Sequence, residues 1–94
     1  MDTNTEVRWE FERAEIVARA IEIARECLDG DPFRNVPKLE LQAAYLFELY
    51  DGGEHDIALK DAEQSVRRRS EPLPAYAVAA SALETAKMAG RAYA

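Results

Sequence analysis

Residues Val7–Leu28, VRWEFERAEIVARAIEIARECL, decide how this chain folds. At about 100° per residue, Arg8, Glu12, Glu15, Arg19, Glu22 and Glu26 fall on one narrow stripe, at alternating spacings of four and three. Almost everything else is apolar: Val7, Trp9, Phe11, Ile16, Val17, Ala20, Ile21, Ile23, Ala24, Cys27 and Leu28. An ordinary surface helix carries an apolar stripe a little over about 100° wide. Here the apolar arc covers well over half the circumference. The helix is therefore expected to pack on two sides, against two helices of its own chain or against one helix and another subunit or partner.

Working outward, punctuation divides the chain into four helical segments. Thr3 and Glu6 have the spacing of a capping box, so the first helix is expected to open there and run to about Leu28. Gly30-Asp31-Pro32 ends it, with Gly30 suited to the left-handed turn past a helix and Pro32 unable to continue one. Pro37 is a good first-turn residue for a second helix that stops at Gly52-Gly53. Asp56 is expected to cap a third, running to about Arg69, with Arg67, Arg68 and Arg69 in its last turn opposing the negative end of the helix dipole. Pro72 and Pro74 break the chain, and Pro74 begins a fourth helix reaching almost to Tyr93. No segment alternates polar with β-branched residues, so no strand is placed. The expected fold class is all-α in a single domain, residues 1–94.

The second helix repeats the message of the first. Leu39, Leu41, Ala43, Ala44, Tyr45, Leu46, Phe47, Leu49 and Tyr50 leave only Lys38, Glu40, Gln42 and Glu48 to face water. Two wide-faced helices in a chain of 94 residues offer more apolar surface than a four-helix monomer easily hides, and such patches mark association sites. The fourth segment is the strongest docking candidate, because Ala75 to Leu83 carries no charge. Tyr76 and Val78 diverge by about 200° on a helix, so one of them points away from the core. Trp9 and Phe11 diverge likewise near the start of the first helix, and Trp9 is a candidate interface anchor. Arg67 and Arg68, with Arg69, could dock an acidic partner or a phosphate, and their opposition to the helix dipole accounts for the run as well.

Composition removes several function classes. Acidic residues number 18 against 12 basic ones, a formal charge of −6. A nucleic-acid or anionic-membrane partner is disfavoured, since both rely on Lys and Arg neutralising phosphates. No apolar run approaches the roughly 20 residues of a membrane span, and the N-terminus is polar and acidic, unlike a signal peptide. Cys27 is the only cysteine, so no internal disulfide is needed, and the expected location is the cytoplasm. Its setting in an apolar helical pattern suits core filling.

Catalytic signals are missing. His55 is the only histidine, in a turn beside Glu54 and Asp56. Three consecutive residues cannot aim all three side chains at one metal ion, and no nucleophile motif accompanies the imidazole. A solvated turn histidine is expected. Asp51-Gly52-Gly53-Glu54 has acids on both sides that would repel phosphate. Glu15 and Arg19, four apart, make an ordinary surface pair. No cofactor, metal or enzymatic activity is expected.

One small-residue pattern recurs: Ala20, Ala24 and Cys27; Ala58, Ala62 and Ser65; Ala82, Ala86 and Ala89. Small side chains on one stripe let two helices approach closely. Ala20, Ala24, Cys27 and Pro32 resemble the second-helix signature of a tetratricopeptide repeat, with the proline closing the unit. Gly53 to Ala58, followed by Ala62 and Ser65, looks like that family's tight turn into its second helix, and Gly90 follows a helix as Gly53 does. Gln42, Tyr45 and Leu46 do not match the family's first helix, and the repeat spacing is not uniform. The resemblance, over about residues 14–94, implies helical hairpins forming a binding scaffold such as an adaptor, a small chaperone or an inhibitor. A small helical bundle is the alternative architecture. The expected function is non-enzymatic protein binding through apolar helical surfaces, with an obligate homo-oligomer as the alternative.

Overall fold

The computed structural model describes residues 13–52 and 54–93, which form four helices. They are α1 (Arg13–Leu28), α2 (Pro37–Tyr50), α3 (His55–Arg67) and α4 (Ala75–Tyr93). The Thr3–Glu6 capping box and Trp9 lie outside the described residues. Among those described, 77% are helical and the one sheet-like feature is an isolated antiparallel bridge between Asn35 and Pro74. The fold class is all-α.

Side-chain and loop contacts fix the helix directions. The Arg13 guanidinium stands 5.4 Å from the centre of the Tyr50 ring, placing the start of α1 beside the end of α2. Tyr50 donates its hydroxyl to the Met88 carbonyl at 2.9 Å, which brings the end of α2 to the last turns of α4. The Ala75 and Tyr76 N–H groups donate to the Arg34 and Pro32 carbonyls, each at 2.7 Å, so α4 begins just past the end of α1. α1 therefore runs antiparallel to both α2 and α4. Its contact with α4 is the most extensive in the fold, while α3 packs chiefly on α2. In a stacked array of hairpins each unit touches only its neighbours. Here the first and last described helices close on each other, as in a small bundle.

The small-residue stripes explain why α1 and α4 pack so extensively. Ala20, Ala24 and Cys27 of α1 and Ala82, Ala86 and Ala89 of α4 are all buried in one contiguous core. Ile16, Ile23, Leu46 and Val78 fill the remaining space. At about 100° per residue, the buried positions of α1 span roughly 100° of its circumference, and half-buried Val17 and Ile21 widen the packed arc to roughly 160°. Over its described residues this helix packs on two sides within the chain, against α4 and α2. Arg19 sits at the α1–α2 seam and donates to Gln42 Oε1 at 2.5 Å and to Glu22 Oε2 at 2.8 Å. It turns that way instead of toward Glu15.

Several local expectations are corrected. Among described glycines only Gly52 is left-handed, at φ 94°; Gly30 is not, and a Cβ there would come within 3.3 Å of Arg34 Nη1. Asp31 makes that turn instead: its Oδ1 accepts the Phe33 N–H at 2.9 Å and its carbonyl accepts the Arg34 N–H at 3.0 Å. Glu54, not Asp56, occupies the cap position of α3. Gly90 lies inside α4 and does not follow it. Pro74 stands one residue ahead of α4, its carbonyl accepting the Ala77 and Val78 N–H groups. Glu40, expected to face water, is buried: Arg69 pairs with Oε1 and the Leu73 N–H donates to Oε2 at 3.1 Å. The segment after α3 crosses the start of α2 and covers it, which helical periodicity cannot show. Arg69 consequently leaves the last turn of α3, where only Arg67 remains, with Arg68 as the C-cap.

Candidate functional site

α4 separates Tyr76 from Val78 as its period requires. Val78 is 1% exposed and belongs to the core; Tyr76 is 52% exposed. Tyr76, Ala80, Leu83 and Lys87 follow each other at spacings of four, three and four, and all four are exposed. They form one stripe on the flank of α4 beside its buried face.

The flank of α1 meets that stripe. Ile21 is half-buried and Leu28 is exposed, at the edge of the apolar arc that neither α2 nor α4 fully covers. Because α4 runs back along α1, Leu83 comes alongside this edge. Ile21, Ala24, Arg25, Leu28, Asp29 and Leu83 line a shallow groove of about 490 Å³, open to solvent along its length. At its end the Asp31 turn presents Phe33, 73% exposed, edge-on to Tyr76 with ring centroids 5.7 Å apart. The two rings and the two leucines make one apolar face built from two antiparallel helices and the turn between them.

Tyr76 therefore belongs to the candidate face and Val78 does not. Arg67 and Arg68 are exposed at the end of α3, which packs chiefly on α2 and not on the α1–α4 pair. Phe33 escaped sequence reading because helical periodicity says nothing about a turn. The available signal was a large aromatic after Gly30-Asp31-Pro32, where polar residues are usual. Leu28 and Leu83 were visible as apolar positions but not as neighbours.

His55 and Cys27 are each held within the fold. His55 is the first residue of α3, half-buried, with its Nδ1 hydrogen-bonded to the Tyr45 hydroxyl and its ring edge-on to Tyr45 at 5.4 Å. It is a helix-to-helix tie between α2 and α3, not a solvated turn residue. Cys27 is fully buried; desolvation pushes its thiol up from the ordinary value, Glu26 adds to this and Arg34 opposes it. Among the described residues no group of three or more His, Cys, Asp or Glu could hold a metal ion, and no helix is long and apolar enough to cross a membrane. No family model, curated protein or solved structure matches the chain.

Proposed function

We propose that this chain is a non-enzymatic protein-binding module that acts through the apolar face of α1 and α4. The observation that carries the reading is the exposure of Tyr76, Leu83, Leu28 and Phe33 on one side of a closed helical bundle. Exposed large apolar side chains cost solubility, and contiguous patches of them mark association surfaces. The groove is shallow and open, which suits the side of a helix better than a small molecule, since ligand pockets enclose most of their guest. An adaptor, a small chaperone or an inhibitor would each use such a face. The acidic charge of −6 argues against nucleic acid as the partner, and a lone buried thiol is compatible with the cytoplasm.

The test is capture of protein from the cells that make this chain, comparing the parent with Tyr76→Glu and Leu83→Glu. Both variants should keep the parent's far-UV circular dichroism and lose the captured partner. Capture equal to the parent by both folded variants would remove this face from the function.

A further inference from the structure

We propose that the α1–α4 face is the interface of a two-fold symmetric homodimer. The inference rests on the protein-binding reading and names the occupant of the face as a second copy of this chain.

Leu28, Phe33, Tyr76 and Leu83 are 52%, 73%, 52% and 41% exposed. At the 150–250 Å² of a large side chain, that is on the order of 400 Å² of apolar surface. A standard stable interface buries about 800 Å² per partner, a little over half of it apolar. The face therefore supplies about the apolar share that one half of a dimer requires.

A chain of net charge −6 repels its own copy on average. The rim of this face is balanced, with Arg25 and Lys87 set against Asp29 and Glu84. All four are exposed, and none has an ion-pair partner among the described residues. Asp29, just past the end of α1, lies one turn beyond Arg25 on the same side. A two-fold axis that lays the ends of two α1 helices antiparallel sets Arg25 of one protomer opposite Asp29 of the other, twice over. Such an isologous contact is self-complementary by symmetry. A partner of uniform charge would meet repulsion from half of the rim. Two α1–α4 pairs packed face to face complete a four-helix interface of the ordinary bundle kind.

Sedimentation equilibrium on the full chain, from about 1 to 100 μM, tests the inference across the range of micromolar dissociation constants. The parent should dimerise. Tyr76→Glu, Leu83→Glu, Arg25→Asp and Asp29→Arg should each keep the parent's circular dichroism and weaken association at least about tenfold, equivalent to about 1.4 kcal/mol. The double variant Arg25→Asp/Asp29→Arg should recover association, because a symmetric swap restores both pairs. A parent that stays monomeric at the highest concentration overturns the homodimer and leaves the protein-binding reading to its capture test. A dimer indifferent to Tyr76→Glu and Leu83→Glu overturns both. A double variant no better than the single ones overturns the two-fold arrangement.

Discussion

Glu40 sits in the first turns of α2 with 3% of its side chain exposed, and each carboxylate oxygen has its own donor, Arg69 or the Leu73 N–H. A buried charge survives only when paired, and breaking such a pair by removing one member strands the other. Arg69→Ala should therefore destabilise by about 3 kcal/mol. Glu40→Gln should cost less, about 1 kcal/mol, because the freed Arg69 side chain is 38% exposed and can hydrate. Urea denaturation midpoints compare the two, and equal midpoints would contradict the burial asymmetry. Cys27 makes a pH prediction. Its folded-state thiol is held above the ordinary value, so its contribution to stability is complete below about pH 8.5 and is lost as pH rises through the folded value. Denaturation at pH 7 and pH 10 should show a stability loss that shrinks in Cys27→Ala. An identical loss in the variant would assign the alkaline effect to other groups.

At the scale of the element, the close approach of α1 and α4 depends on side-chain size. Ala24 is 3% and Ala82 is 1% exposed. Ala24→Leu and Ala82→Leu should each destabilise by about 1–3 kcal/mol, since overpacking forces strain. Ala80 belongs to the exposed stripe, so Ala80→Leu should change stability by no more than about 0.5 kcal/mol. Thermal melts of the three variants check the contrast, and equal melting would mean the two helices can separate to accept volume. α3 differs from the others. It buries only Ala58 and Ala62 and packs chiefly on α2, with Ile57 and Leu59 left exposed. Elements with few buried apolar contacts open first. Native-state hydrogen exchange should give α3 amides lower protection than those of α1 and α4. Uniform protection would make the bundle a single cooperative unit.

For the whole molecule, the two faces of α4 have opposite fates. Val78 lies in the core shared with α1 and α2, and a carboxylate there has no partner. Val78→Glu should abolish the cooperative transition, while Tyr76→Glu should leave it in place and act only on association. Circular dichroism melts of the pair measure this directly; a cooperative Val78→Glu protein would place the core elsewhere. Closure of the bundle buries much of the apolar surface of the described parts of α1 and α2 within the chain. What is left over lies on one edge of α1 and one flank of α4, on Phe33 between them, and on Phe47 of α2 and Ile57 and Leu59 of α3.

The helix count, the ends of α2 and the small-residue stripes follow from local chemistry: proline and glycine interrupt helices, and burial leaves a 3.6-residue imprint. The divergence of Tyr76 and Val78 was likewise dictated by the helical period, though which of them turns inward was not. That choice depends on where α1 lies, a contact between residues more than forty positions apart. Glu40 is the clearest case of the same limit. Its place in α2 reads as a solvated position, and only the crossing of the chain after α3 buries it and supplies Arg69. The candidate face has this origin too. Leu28, Phe33, Tyr76 and Leu83 are ordinary apolar residues in three separate segments, and tertiary packing alone assembles them because α4 starts beside Pro32 and Arg34 and runs back along α1.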